Sequence, residues 1–168
     1  MKIQYSVSIF IIFTLAACGF QLRGTYLDEL QDANIFISAR SASAINREVR
    51  MQLQQAGIKL TENPATADYT INLKGEQFNK EVLSVSPVTG KVEEFEIIYR
   101  VEMDIIDSKS SDVLRSDILK NRRDYAFDEL AALSKYEEEE IIRNEIIKDT
   151  ASQIIRSLVA ISRRINAT

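Results

Sequence analysis

Glu94-Phe95-Glu96-Ile97-Ile98-Tyr99-Arg100-Val101-Glu102-Met103-Asp104-Ile105 is the stretch that decides the fold. Successive side chains of a β-strand point to opposite faces. Phe95, Ile97, Tyr99, Val101, Met103 and Ile105 therefore share one face, and Glu94, Glu96, Arg100, Glu102 and Asp104 share the other, with Ile98 the exception. Such a strand lays one face on an apolar core and leaves the other in polar surroundings, which is the habit of antiparallel sheets.

The elements on either side extend this sheet. Upstream, Pro87-Val88-Thr89-Gly90-Lys91 reads as a turn. Before it, Tyr69, Ile71 and Leu73 alternate with polar neighbours, and the β-prone run continues to Val85. Gly75 marks a bulge or bend within it. The two strands make a long hairpin. Downstream, residues 108–111 form a second polar turn, and residues 113–127 read as a third long strand whose untidy alternation implies a bulge.

Two helices complete the pattern. Ile45, Val49, Leu53 and Ala56 recur at helical spacing, which predicts a helix over 44–56, with Ser41 to Ser43 offering caps. Gly57 stands where a left-handed C-cap belongs, with Ile58 placed to touch Leu53. A short β-rich run at 34–38 precedes this helix. Near the C-terminus, Ser134 and Glu137 fit a capping box. Glu137 to Glu140 read as a solvated first turn, where negative charge suits the helix dipole. Ile147, Ala151, Ile154, Leu158 and Ile161 give the core stripe, and Arg156, Arg163 and Arg164 gather near the end. The order strand, helix, three antiparallel strands, helix has one economical solution. It is an α+β two-layer sandwich, with two helices packed on one face of a four-stranded mixed, mostly antiparallel sheet. The strand–helix–strand crossover should be right-handed.

Composition excludes several chemistries. The 168 residues contain no histidine, so serine–histidine and cysteine–histidine nucleophiles are absent, and the usual zinc sites lose ligands. No glycine-rich phosphate loop is present. A net charge of −4 argues against a nucleic-acid binder. No metal, no soluble cofactor and no enzymatic activity are expected.

The N-terminus carries its own signal. Lys2, an apolar run from Val7 to Leu15, and then Leu15-Ala16-Ala17-Cys18 follow the layout of a secretory signal. The run is too short for a membrane-spanning helix. Cys18, the single cysteine, directly after two alanines makes it look like a bacterial lipoprotein signal. In that class residues 1–17 are removed, and Cys18 carries a diacylglycerol and an N-acyl chain, enough for stable anchoring. Gly19 in place of Asp points to the outer membrane. Lys2 leaves with the signal, so the mature chain is one unit more acidic. Residues 18–32 then read as a lipidated linker, and 33–168 as a single domain.

After Cys18 comes Gly19-Phe20-Gln21-Leu22-Arg23-Gly24, which resembles the start of the LptE (RlpB) family of lipopolysaccharide-assembly lipoproteins. Further matches are Arg47-Glu48-Val49-Arg50-Met51-Gln52-Leu53 with Gly57, then Glu94-Phe95-Glu96-Ile97. The last is the block Ala131-Ala132-Leu133-Ser134-Lys135, Glu140-Ile141-Ile142, Ala151, Gln153, Ile154 and Arg156. The resemblance implies the two-layer fold and a non-enzymatic plug in the lumen of the outer-membrane β-barrel LptD. It implies that the pair inserts lipopolysaccharide into the outer leaflet, with lipopolysaccharide as a second partner. It also implies contact through basic residues near the hairpin turn and before the last helix. Lys135 matches the second position. The family's turn arginine is missing, and Lys91 is the positive residue near its place. Arg122 and Arg123 add charge on the last strand. The alternative partner set is another envelope machine, such as β-barrel assembly.

Overall fold

The strand quoted above lies at the heart of the sheet. In a computed structural model of the chain, which describes residues 25–127 and 132–167, it is β4 (Val92–Asp107). Ile97, Tyr99, Val101, Met103 and Ile105 are buried in the core, as the alternation requires. Around it run β1 (Asn34–Arg40), β2 (Lys59–Leu60), β3 (Tyr69–Val85) and β5 (Val113–Ala126), in the order β2-β1-β3-β4-β5. β1 is parallel to β2 and β3, whereas β3–β4 and β4–β5 are antiparallel. The architecture is the expected α+β class with five strands rather than four. The added strand, β2, has two residues, too few to show an alternation.

Helix α1 (Ser43–Gln55) buries Ile45, Val49 and Leu53. Its C-terminus closes as expected. Gly57 takes φ +77°, its amide donates to Gln54 O and the Ile58 amide donates to Leu53 O, both at 3.0 Å, while Ile58 is buried. This pair of bonds is a Schellman cap. The N-terminus differs from expectation: Ala42 is the cap residue, and no side chain of 41–43 caps the helix. The cap comes from β3. Gly75, at φ +66°, opens the expected bulge, where the register slips between Lys74 and Gln77. The slip turns Glu76 towards the helices, and its two carboxylate oxygens accept from the amides of Ala44 and Ile45, both at 3.0 Å. The Tyr99 hydroxyl donates to the same carboxylate at 2.9 Å. Burial and this neighbouring charge hold the Tyr99 phenol well above its usual range. The bulge expected in the last strand lies at Leu114, between the pairs Ile105–Arg115 and Ile106–Val113.

Helix α2 (Ala132–Asn166) has 35 residues, about 52 Å at 1.5 Å per residue. It is already helical at Ala132, so Ser134 lies inside it and is not its cap. Among its residues from 137 on, Ile146 is the first fully buried one, with Ile142 and the expected Ile147 half-buried against the core. Thr150 hid this face in the sequence, because it looks polar. In the structure it is fully buried, its hydroxyl donating to Ile146 O at 2.7 Å and accepting from Asn121 Nδ2 at 2.6 Å. From there Ala151, Ile154, Leu158 and Ile161 pack as expected. Residues Thr25–Leu30, read above as linker, form a 3-10 turn whose Leu30 is fully buried. Cys18, the signal segment and the motif at 19–24 lie outside the described residues. No helix among the described residues is long and apolar enough to cross a membrane.

Candidate functional site

Both helices lie on one face of the sheet, so the other face is open. The bulge at Gly75 preserves its character, because it shifts the outward set of β3 from Thr70, Asn72 and Lys74 to Gln77, Asn79 and Glu81. β4 adds its charged residues, and β5 adds Ser116, Ile118, Lys120, Arg122 and Asp124. Some charges are paired, and others stand opposite their own sign: Glu81 faces Glu96, which faces Asp124, and Arg100 faces Lys120. Lys74 Nζ lies 3.1 Å from Asp104 Oδ2, and Ser116 donates to Asp104 Oδ1 at 2.6 Å. These two partners hold the Asp104 carboxyl below its usual range against the opposing effect of burial. Arg100 pairs with Glu102 at 3.0 Å, and Arg122 lies 3.9 Å from Glu96. Exposed pairs of this kind contribute roughly 0–1 kcal/mol each. They do set a mosaic of both signs over a broad surface. Ile98, the sequence exception, sits on this face and is 9% exposed.

The other distinctive region is the end of the molecule where the hairpin outruns α1. Here β3 and β4 continue beneath α2 alone. Lys80, Phe78, Phe95 and Tyr125 face the helix, and one carboxylate joins them. Glu139 Oε2 lies 2.7 Å from Lys80 Nζ and accepts from the Tyr125 hydroxyl at 2.8 Å. Glu139 Oε1 accepts from Arg143 Nε and Nη2 at 3.0 and 2.8 Å. Lys80 Nζ sits 4.1 Å from the Phe95 ring centre, and the Arg143 guanidinium lies 4.7 Å from that of Phe78. Burial alone would raise the Glu139 pKa, but bonds from Lys80, Arg143 and Tyr125 outweigh it and bring it down to about 2. Burial likewise opposes the charge on Lys80, and its bonds to Glu139 and Tyr125 win and raise its pKa.

The expected contact residues are placed as follows. Lys91 is in the β3–β4 turn, closed by the Ser86 amide donating to Lys91 O at 2.8 Å, with Gly90 at φ +70°. The tip around it is apolar, with Val85 and Val88 exposed at 53% and 90%. Lys135 is placed by its backbone in the first turn of α2, at the same end of the molecule. Arg122 and Arg123 point to opposite faces: Arg122 lies on the open sheet face, whereas Arg123 turns inward and binds Asp149 Oδ2 of α2 at 2.7 Å. Two of the four positions thus share one end, and the other two do not form a cluster with them. The sequence reading missed Lys80, Tyr125, Glu139 and Arg143. Its available signal was Gly75, because a bulge there reverses which side of β3 faces the helices.

Comparison with known proteins agrees with this architecture. A family model described as LptE, lipopolysaccharide-assembly, matches residues 22–158. The chain belongs to the LptE family. The chain is similar to the LPS-assembly lipoprotein LptE of Yersinia enterocolitica, with 26% identity over 89% of this chain and 72% of the relative. It is also similar to that of Photorhabdus laumondii, at 29% over 89% and 81%. Among solved structures, lipoprotein B from Nitrosomonas europaea superposes with a TM-score of 0.73 at 27% identity, over 86% of this chain and 93% of that one. The rare lipoprotein B from Shewanella oneidensis gives 0.69 at 25%, over 79% and 98%. The LptE family is one of lipopolysaccharide assembly, and the two-layer fold is shared with these lipoproteins.

Proposed function

We propose that this LptE-family chain is a lipid-anchored protein of the outer membrane that plugs the lumen of an LptD-type β-barrel. In this reading it supports barrel assembly and helps move lipopolysaccharide into the outer leaflet, without catalysis of its own. The open sheet face carries the proposal. It is broad and polar and carries charges of both signs, which suits the largely polar interior of a large barrel. Length supports the same reading. The turn Thr25–Leu30, next after the Cys18 segment, packs at the far end of α2, where Ser162 donates to Glu29 O. The hairpin tip lies at the other end, and the 16 residues of β4 span about 50 Å. A bilayer with its headgroups measures roughly 40–45 Å, so a chain held by lipid at one end reaches across with the other. There Lys91 and Lys135 offer charge to phosphate groups, and the apolar tip suits acyl chains.

The test is a mild-detergent pull-down of the tagged, lipidated protein. One large β-barrel at one-to-one stoichiometry is the expected result. Recovery with β-barrel assembly lipoproteins, or alone, overturns the reading. Produced without the barrel, Cys18→Ala is expected to move the protein from the membrane to the soluble fraction with an unchanged circular-dichroism spectrum. Lys135→Glu is expected to weaken lipopolysaccharide binding by about tenfold, the scale of one charge-assisted contact, while the barrel still co-purifies. Unchanged binding removes Lys135 from the contact.

A further inference from the structure

Helix α2 divides sharply at Ile146. Among residues 137–145 none is buried; from Ile146 to Ser162, Ile146, Thr150, Ala151, Ile154, Leu158 and Ile161 are among those that are. Apolar packing is therefore dense only from Ile146 onward, with the half-buried Ile142 reaching the core before it. The preceding stretch, 132–145, is about 21 Å long. It does not close onto α1 either: a groove of about 610 Å³, lined by Arg47, Met51 and Ile141 among others, separates them, and Ile141 is 58% exposed. Beyond the half-buried Ile142, what ties this stretch to the sheet is largely polar. Glu139 reaches Lys80 of β3 and Tyr125 of β5, and Arg143 lies over Phe78. Arg143 is itself held by Glu139, so one carboxylate organises all three attachments.

We propose that residues 132–145 form an arm hinged on the buried part of α2, and that Glu139 is the residue that positions this arm on the hairpin. Three features support a latch rather than a piece of core. Its bonds are made by charged and hydroxyl groups, at the edge of the core cluster that Tyr125 joins. It joins one helix to two strands at a single point. It bridges the two elements that bear Lys91 and Lys135, so it sets the spacing of those two positions. The consequence for ligand binding rests on the reading of Lys91 and Lys135 as lipopolysaccharide contacts. The arm itself does not.

Hydrogen exchange of the full mature protein, followed by mass spectrometry, tests the arm. In Glu139→Ala, amides of 139–145 should exchange at least tenfold faster, while those of 150–162 keep their wild-type protection. Lys80→Met, which keeps the stem over Phe95 and removes the charge, should reproduce the pattern. Unchanged exchange at 139–145 overturns the proposal, as does an equal rise along the whole helix, which would make Glu139 an ordinary part of the cooperative fold. Binding of purified lipopolysaccharide tests the consequence. If both Lys135→Glu and Glu139→Ala weaken it about tenfold, the positioning role holds. If Lys135→Glu weakens it and Glu139→Ala does not, the positioning role fails and the contact reading stands. If Lys135→Glu has no effect, that contact reading fails, and exchange alone decides the arm.

Discussion

Glu76→Ala is expected to lower the thermal unfolding midpoint by about 10 °C, the largest effect of any single polar substitution considered. The carboxylate does three things at once. It accepts from the amides of Ala44 and Ile45, which have no partner within α1. It places negative charge at the positive end of that helix. It also accepts from the hydroxyl of Tyr99, a side chain with no exposed surface at the centre of the core. Losing a helix cap costs about 1 kcal/mol, and leaving a buried hydroxyl unpaired costs about 1–3 kcal/mol. The sum is about 3 kcal/mol, and a domain of this size shifts by roughly 2–4 °C per kcal/mol. Glu76→Gln keeps one acceptor and loses the charge, so about half the effect should remain. Thermal melts of the soluble Cys18→Ala background decide it. A shift under about 2 °C for Glu76→Ala would mean that the helix start and Tyr99 find other partners.

How much of this was legible in the sequence follows from the same residue. Strand β4 could be read because its alternation is local, each side chain's face following from its neighbours two residues away. The Schellman cap at Gly57 could be read because its partners, Leu53 and Ile58, lie within five residues. The start of α1 could not. Its cap comes from a residue over thirty positions downstream, and only the bulge at Gly75 makes Glu76 face that way. Two serines beside the helix start, Ser41 and Ser43, looked like better caps and are not used. Lys80 was hidden by the same reversal, since the alternation of Tyr69, Ile71 and Leu73 assigns it to the open face if the bulge is ignored. Glu139 was read as one of four solvated acids because its own helix gives no sign of the lysine and tyrosine that meet it. Local periodicity carries the architecture, while the polar contacts that join layers depend on register, which one sequence shows only indirectly. The contact residues illustrate the limit: Arg122 and Arg123 both read as added charge on the last strand, yet they stand on opposite faces of the sheet.

Acid should release a stabilising contribution that Glu139→Gln lacks. The folded protein holds the Glu139 carboxyl at about 2, against 4.5 for an unperturbed glutamate. The groups that face it are Lys80 from β3, Tyr125 from β5 and Arg143 from its own helix, and each donates to it. The unfolded chain therefore takes up a proton at higher pH than the folded one does. The contribution is complete above pH 4.5 and is lost as the pH falls from there through about 2. Its upper bound is about 3 kcal/mol, from 1.36 kcal/mol per unit of pKa. Glutamine mimics the protonated side chain, so the variant should be less stable than wild type at pH 6 by up to that amount. Urea denaturation at pH 6 and near pH 2.5 makes the comparison, and the gap should shrink to about a quarter of its pH 6 size at the lower value. Asp68, Asp104 and Asp117 also have lowered pKa values and titrate in both proteins, so the difference between the curves isolates Glu139. A gap that stays constant from pH 6 to pH 2.5 would show that the carboxylate's charge contributes nothing, leaving the hydrogen bonds alone to hold the start of α2 on the hairpin.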